Sequence, residues 1–229
     1  MKSVETCYMC DAQRSSREHA PPECLFPKEK EFGHDLRRNL ITVPSCDVHN
    51  SKKSEDDEFM RAVILFTAVA NNNVAQHQFL GKMLRGAARS PNKYSNFITE
   101  KGTIKNGAFR ALKINNRERF DSCIEHLARA LFFHVYKKKW RYPVMMVSPN
   151  FYSAISNDEA VPHKPTQEIV EVSRSFLVQE PVLGDNPEVF KYRVRYDENE
   201  CSYAFAGIFY DFFEVYSYSS QAAANANNA

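Results

Sequence analysis

Two short pairs of candidate metal ligands constrain the N-terminal region of this chain more than any other feature. Cys7-x-x-Cys10 and Cys46-x-x-His49 each leave a gap of two residues, which lets a tight turn present both side chains to one ion. Four such ligands make the closed tetrahedral set of a structural zinc site, whereas unrelated buried thiols are the alternative. The sequence therefore predicts a zinc knuckle that ties an N-terminal turn to the start of a helix. Cys24 is the substitute ligand if His49 turns away.

The composition indicates a folded chain in a reducing compartment. Hydrophobic residues make up 43% and charged residues 25% of the 229 residues, as in globular proteins. The longest apolar stretch, 62–70, is too short to cross a membrane, and no secretory signal begins the chain, so we expect a cytoplasmic protein. Clustered cysteines in that compartment bind metal more often than they form disulfides. The net charge of +2 is too small for strong non-specific DNA binding by the chain alone.

The composition and residue patterning along the chain predict an α+β fold with three regions and a tail. Residues 1–58 form a Cys- and His-rich module, 59–140 a helical region with a basic loop, 141–220 a β-rich region, and 221–229 a disordered low-complexity tail. A capping box at Ser54 opens a helix that Asn71-Asn72-Asn73 interrupts before a second helix ending at Ser90. Apolar spacing predicts a further amphipathic helix over 117–138. Strands are predicted over 94–99, 109–114, 175–178, 189–196 and 203–218.

Several polar residues between and beside the zinc pairs suit phosphodiester hydrolysis. That reaction needs a base to deprotonate water and a divalent cation to stabilise the developing charge. The imidazole of His19 suits the first task because its ordinary pKa lies near working pH. The Glu18 carboxylate and the Asn50 carboxamide offer hard oxygen ligands, which suit Mg²⁺ or Mn²⁺. Each of these residues has an ordinary solvent-facing alternative, and the order in which they occur favours the hydrolytic reading.

The run Glu18-His19-Ala20-Pro21, followed by Asn39-Leu40-Ile41 and Cys46-x-x-His49-Asn50, resembles the HNH, or ββα-metal, endonucleases. The resemblance covers residues 7 to about 58 and implies an N-terminal ββα-metal module with a zinc knuckle, central helices and a C-terminal antiparallel β-rich region. On that likeness His19 is the general base, Glu18 and Asn50 bind the catalytic Mg²⁺ or Mn²⁺, and Asn39 braces the loop. Glu18 stands where the family more often has Asp, and His49 stands where it has the fourth zinc cysteine.

The resemblance implies an endonuclease that cuts DNA, as the cutting component of a restriction or anti-phage defence system. Basic residues that we expect to contact the nucleic-acid backbone are Arg17, Lys52, Lys53, Lys82, Arg85, Arg89 and Lys93. We expect a partner protein to supply target recognition, and a homo-oligomer is compatible with the sequence. The alternatives are a non-catalytic zinc-stabilised module that binds nucleic acid or protein, and an RNA-cleaving HNH toxin. We expect His34, His77, His126 and His134 to be structural or solvent-facing.

Overall fold

The computed structural model describes residues 5–50, 53–90, 94, 98–100, 104–105, 108–109, 113–114, 116–151 and 164–226, and the chain is α+β. The helices are α1 (Glu29–Phe32), α2 (Asp47–Asn50), α3 (Lys53–Ala68), α4 (Asn73–Gln78), α5 (Leu84–Arg89), α6 (Arg117–Tyr136), α7 (Lys164–Leu177) and α8 (Gln221–Ala226). The strands are β1 (Ser16–His19), β2 (Thr42–Ser45), β3 (Ile98–Glu100), β4 (Ile104–Lys105), β5 (Ala108–Phe109), β6 (Lys113–Ile114), β7 (Met145–Val147), β8 (Leu183–Asn186), β9 (Phe190–Asp197), β10 (Ser202–Phe209) and β11 (Phe213–Ser220). A 3-10 turn (Glu23–Leu25) and a π-helical turn (Phe79–Met83) complete the list.

The N-terminal segment is an antiparallel strand pair followed by helices. In this pair β1 lies against β2, with Glu18 opposite Val43 and His19 opposite Thr42. The two short helices α1 and α2 lie in the same segment, and α3 follows directly. The backbone N–H of Tyr8 donates to Pro44 O at 2.8 Å, which holds the N-terminal turn beside β2. The ligand-bearing turn and the strand pair therefore form one unit.

Polar residues mark the ends of the helices in the helical region. The Asn72 side chain caps α4 by accepting from the backbone N–H groups of Val74 and Ala75 at 2.8 and 3.0 Å, so the predicted break at the asparagine triplet is confirmed. The helix predicted over 117–138 is confirmed as α6. Asn116 caps its start, and Lys137 ends it in the left-handed conformation (φ 56°). The predicted strands over 94–99 and 109–114 fall partly outside the described residues, and what is described there is β3, β5 and β6.

The C-terminal region is a five-stranded antiparallel sheet in the order β7-β11-β10-β9-β8. The predicted strand over 189–196 is confirmed as β9, whereas 203–218 divides into β10 and β11, joined by a turn at Tyr210 and Asp211. The predicted strand over 175–178 is wrong, because those residues end α7 and run into the turn that follows it. The buried residues Val170 and Leu177 lie two helical turns apart and pack on Ala204 and Ala206 of the sheet. Residues 221–226, predicted as part of a disordered tail, form α8 instead.

One apolar core joins the three predicted regions. It contains Cys7 and Leu25 from the N-terminal segment, Phe59 and Phe120 from the helices, and Phe213 from the sheet. The Leu25 carbonyl accepts hydrogen bonds from Gln78 Nε2 at 3.2 Å and from Tyr210 Oη at 2.5 Å. The N-terminal segment is therefore packed against both other regions. No helix of the described residues is long and apolar enough to cross a membrane.

Candidate functional site

The four predicted zinc ligands converge on one point. His49 Nδ1 lies 3.5 Å from Cys7 Sγ, 3.6 Å from Cys10 Sγ and 3.2 Å from Cys46 Sγ, and the Sγ atoms of Cys10 and Cys46 are 3.7 Å apart. A tetrahedral zinc ion with ordinary bond lengths would place two sulfurs about 3.8 Å apart and a sulfur and a nitrogen about 3.5 Å apart. The side chains thus have the donor types and the spacing to hold a metal ion, consistent with structural zinc.

The elements around this cluster fix its four side chains. Cys46 directly follows β2, and His49 lies in α2, so one tight turn presents both. Burial alone would raise the pKa of the Cys46 thiol, but hydrogen bonds from the backbone and ring of His49 bring this pKa down to about 7. Cys24, the predicted substitute ligand, lies elsewhere: its thiol donates to Asp57 O at 3.5 Å, and burial raises its pKa to about 12.

Two basic residues after α6 clamp the cluster from outside. Lys139 Nζ donates to Cys10 O at 2.6 Å and to Thr6 Oγ1 at 2.8 Å, and it pairs with Asp11 at 3.1 Å. Arg141 reaches the same Asp11 carboxylate at 2.7 Å. Lys139, the last residue of a basic run just after α6, therefore holds the N-terminal turn.

Beside the cluster lies a cleft between β1 and α3, and residues of α6 also line its smaller cavity. It consists of two cavities, of about 200 Å³ and about 410 Å³, whose walls share Glu18, His19, Lys53 and Asp57. His49 lines the smaller cavity, so the candidate metal cluster and the cleft are neighbours. The structure thus brings together the candidate base, the candidate acidic ligand and the first turn of α3.

Glu18 is the most deeply buried polar group of the cleft, at 3% exposure. Tyr8 Oη donates to Glu18 Oε1 at 2.9 Å, and the Lys53 ammonium forms an ion pair with the same oxygen. The other oxygen, Oε2, has no partner among the described residues. Because a buried carboxylate oxygen without a partner is costly, this atom favours a cation at the cleft.

His19 and Asn50 share the larger cavity with Glu18. The His19 ring makes no side-chain hydrogen bond to any residue that the structure describes. Asn50 Nδ2 donates to Ser16 Oγ at 2.9 Å, which orients the carboxamide along the start of β1. In the described chain no Cys, His, Asp or Glu set besides the Cys7–His49 cluster gathers three such ligands closely. Any ion in the cleft would therefore be held more loosely.

The structure places Asn39 away from this cleft. Asn39 adopts the left-handed conformation (φ 46°) and lines a separate cavity of about 20 Å³. The side chain that braces this loop is Asn186 of β8, which accepts from Arg38 N at 3.2 Å and donates to Arg38 O at 2.7 Å. Sequence reasoning missed Asn186, since no local signal links β8 to a loop so far away in the chain.

Sequence reasoning also missed Asp57. The acidic run at 55–58 predicts helix-start charges only, yet Asp57 lines both cavities of the cleft. Burial raises its pKa to about 6, and Lys53, one turn earlier, opposes that rise. The same burial lowers the pKa of Lys53 to about 8. The spacing of Lys53, Asp57 and Arg61, four residues apart, marks one face of α3 and could have indicated these positions.

The predicted nucleic-acid contacts have varied surroundings. Arg17 is exposed beside the cleft and donates from Nε to Thr42 Oγ1 at 3.1 Å. Lys53 is inside the cleft, and Lys82 pairs with Glu31 at 3.8 Å. Arg85 and Arg89 are exposed on α5, whereas Lys52 and Lys93 lie outside the described residues.

The four other histidines that the structure describes lie in buried or aromatic surroundings, and one of them, His126, lines the smaller cavity of the cleft. His34 and His77 lie against the Phe32 ring, with centroids 4.9 and 5.2 Å from it. His126 lies 6.3 Å from the His49 ring, and burial lowers its pKa to about 4. A half-buried His134 near the end of α6 has its pKa lowered by burial as well.

No protein-family model, curated protein or solved structure matches this chain. The geometry of the metal cluster and of the cleft is therefore the basis for assigning a function.

Proposed function

We propose that the chain is a metal-dependent endonuclease that hydrolyses phosphodiester bonds in DNA. The observation that carries the proposal is the shared cleft of Glu18, His19 and Asn50, next to a closed set of four thiol and imidazole ligands. The proposal assigns zinc to the closed set as a structural ion, because it offers four protein ligands and no open position. That ion would hold the N-terminal turn, β2 and α2 together and so fix the walls of the cleft.

His19 is the proposed general base. Its ring lines both cavities and makes no side-chain hydrogen bond to a described residue, so one nitrogen can accept a proton from a water molecule in the cleft. The proton moves to the imidazole as the water oxygen attacks the phosphorus atom, the bond from phosphorus to the leaving oxygen breaks, and that oxygen takes a proton from solvent. Solvent access on the cleft side lets the proton leave afterwards.

Glu18 and Asn50 would hold a divalent cation, Mg²⁺ or Mn²⁺, whose charge stabilises the phosphorane oxygens and the leaving oxygen when it is bound. The residues fit such an ion, since Glu18 Oε2 is buried without a partner and both side chains line one cavity. The ion pair between Lys53 and Glu18 Oε1 supplies positive charge beside the substrate phosphate. Arg17, Arg85 and Arg89 would contact the backbone of the nucleic acid further out.

Target recognition is assigned to a partner protein, because the chain has a net charge of only +2 and its exposed arginines are few near the cleft. A cutting component of a defence system would fit that division of labour. RNA offers the same phosphodiester chemistry, so a structured RNA belongs in the assay as a second substrate.

The test is incubation of the zinc-loaded chain with supercoiled plasmid and a panel of divalent metals. We expect nicking or cutting that EDTA stops at low concentration, and a loss of about 10²–10⁴-fold in His19→Ala. His34→Ala is the matched control, because His34 is an exposed histidine that lines neither cavity. Equal cleavage by His19→Ala and the wild type would remove His19 from the mechanism.

A non-catalytic binding module is the second candidate, and the ion pair between Lys53 and Glu18 favours it, since a lysine already neutralises the candidate acid. Plasmid and RNA that remain intact with every metal, but that bind the chain in a gel-shift assay, would support this second candidate.

A further inference from the structure

Asp57 faces the cleft from the side opposite β1. It lies on α3 one turn after Lys53, and it lines both cavities together with Glu18 and His19. Its carboxylate makes no hydrogen bond and no ion pair within 4 Å in the described part of the chain. Its acidic neighbour Asp56 is engaged instead, because Arg119 Nε contacts it at 2.7 Å.

The charges around the cleft leave room for a cation. Two carboxylates, Glu18 and Asp57, face the space that Lys53 shares with them. The Lys53 ammonium contacts Glu18 Oε1. Glu18 is only 3% exposed, and its other oxygen, Oε2, has no partner among the described residues. The cleft is therefore lined by one residue with an unsatisfied buried oxygen, Glu18, and by a second carboxylate, Asp57, and this combination attracts a hard, oxygen-seeking ion.

We propose that Asp57 is a further protein ligand of the divalent cation in the cleft, so that β1 and α3 bind the ion from opposite walls. This inference rests on the proposed function only for what the ion does, which is to assist hydrolysis. Binding of the ion by Asp57 does not depend on that function. Glu18, Asn50 and Asp57 would together offer the ion three protein oxygens, and water and a substrate oxygen would supply its other ligands.

Lys53 competes with the ion in this arrangement. Its ammonium occupies the side of Glu18 that a cation would share, so each bound ion must displace or repel it. Removal of the Asp57 carboxylate should weaken ion binding, and removal of the Lys53 charge should strengthen it. Changes of opposite sign at residues one turn apart are not expected from general disturbance of α3.

The experiment measures Mn²⁺ binding directly, from the electron paramagnetic resonance signal of free Mn²⁺ over the zinc-loaded full chain. We expect Asp57→Asn to weaken binding by at least about tenfold and Asp57→Glu to weaken it less. Lys53→Gln should strengthen binding several-fold. Glu55→Gln is the matched control, because Glu55 is an exposed acid on the same helix that lines neither cavity. It should bind Mn²⁺ like the wild type.

The outcomes separate this inference from the proposed function. If Asp57→Asn binds Mn²⁺ as the wild type does, the inference is overturned, even if the wild type cleaves DNA through His19. If binding depends on Asp57 but no nucleic acid is cut, the cation site stands and the nuclease proposal fails. Should Asp57→Asn lose its fold, as judged by circular dichroism and zinc content, Lys53→Gln decides. Stronger binding by Lys53→Gln supports the shared site, and unchanged or weaker binding overturns it.

Discussion

The cysteine-histidine cluster and the cleft are neighbours built on different principles. In the cluster, four ligands lie at the separations of a tetrahedral ion, and Lys139 and Arg141 hold the turn from outside. In the cleft, the side chains line two open cavities, and a lysine takes the position of a counter-ion beside Glu18. The two sites adjoin at α2, whose His49 belongs to the cluster and lines the smaller cavity and whose Asn50 lines the larger one.

On the proposed function, one small module serves stability and chemistry separately. A closed ligand set satisfies its ion completely and leaves no position for a substrate. An incompletely satisfied set leaves room for water and substrate, but its uncompensated charge lowers the stability of the fold. Substitutions in the cluster should therefore reduce stability, whereas substitutions in the cleft should change activity and leave the fold intact or more stable.

The largest expected effect is at the cluster. Cys46→Ser replaces a thiolate by a poor zinc ligand, and we expect loss of the metal together with on the order of 5 kcal/mol of stability in the N-terminal segment. Elemental analysis and limited proteolysis measure both. Cys24→Ser is the control, because Cys24 is a partly buried thiol of the cleft wall that should leave the metal in place. Stoichiometric zinc in Cys46→Ser would remove Cys46 from the ligand set.

The next largest effect is expected at Lys139, which binds the N-terminal turn from outside the cluster. Lys139→Met removes three polar contacts to the N-terminal turn, and the two from its mostly buried ammonium to Thr6 Oγ1 and Cys10 O contribute about 1.5–3 kcal/mol together. We expect a lower melting temperature and faster zinc loss to a chelator. Lys138→Met is the matched control, since Lys138 pairs only with the exposed Glu198 among described carboxylates. Equal zinc loss from both variants would contradict the clamp.

A smaller effect should follow from Asn50→Ala in the cleft. Loss of the carboxamide removes one neutral oxygen ligand, so we expect about tenfold weaker cleavage that additional Mg²⁺ partly restores. Cleavage rates over a range of Mg²⁺ concentrations measure this, with His19→Ala as the variant that Mg²⁺ does not rescue. Full activity in Asn50→Ala, or rescue of His19→Ala, would contradict the assigned roles.

The smallest expected effect is a gain in the free energy of unfolding, where the substitutions in the cluster cause a loss. Burial raises the pKa of Asp57 to about 6, with Asp56 adding to the rise and Lys53 opposing it. The folded protein thus takes up a proton at higher pH than the unfolded chain does, and the ionised carboxyl weakens the fold at neutral pH. Asp57→Asn should stabilise the zinc-loaded, Mg²⁺-free chain by about 1 kcal/mol at pH 7 after allowance for solvent screening.

This gain should shrink as the pH falls from 6 toward the ordinary pKa of 3.8 and vanish only below that value, where the Asp57 carboxyl is protonated in the folded and the unfolded chain alike. Urea unfolding at several pH values checks it, with Glu55→Gln as the exposed control. A destabilised Asp57→Asn at neutral pH would show that the carboxylate supports the fold and would weaken the contrast between the two sites.

Local spacing explains why parts of the fold were predictable. The helix α6 has an apolar stripe long enough to be recognised, and β9 alternates buried Tyr192 and Val194 with outward residues. The strand predicted over 175–178 failed because a short apolar run fits a strand and a helix end equally well. Only contact of Leu177 with the sheet decides between them.

The two candidate sites also differ in how far the sequence predicts their residues. The cysteine-histidine cluster depends on two local spacings, so its four ligands could be named from the sequence. Asp57 could not be distinguished from its acidic neighbours, because the orientation of α3 against β1 decides which of them faces the cleft. Asn186 contacts a loop that lies 148 positions away from it in the chain, and no sequence pattern reports a contact of that range.

The two hydrogen bonds on the Leu25 carbonyl bear on the order of events during synthesis. Every proposed catalytic group lies in the first 57 residues and leaves the ribosome early, but Tyr210, which binds Leu25 O, is translated 185 residues later. Lys139, which holds the Cys10 turn, also arrives only after α6. A growing chain therefore carries the ligands and the base before it carries the side chains that fix them. The contacts that fix the Leu25 carbonyl and the Cys10 turn therefore form only after the chain has been extended through Tyr210 and Lys139, well after the proposed catalytic residues have been synthesised.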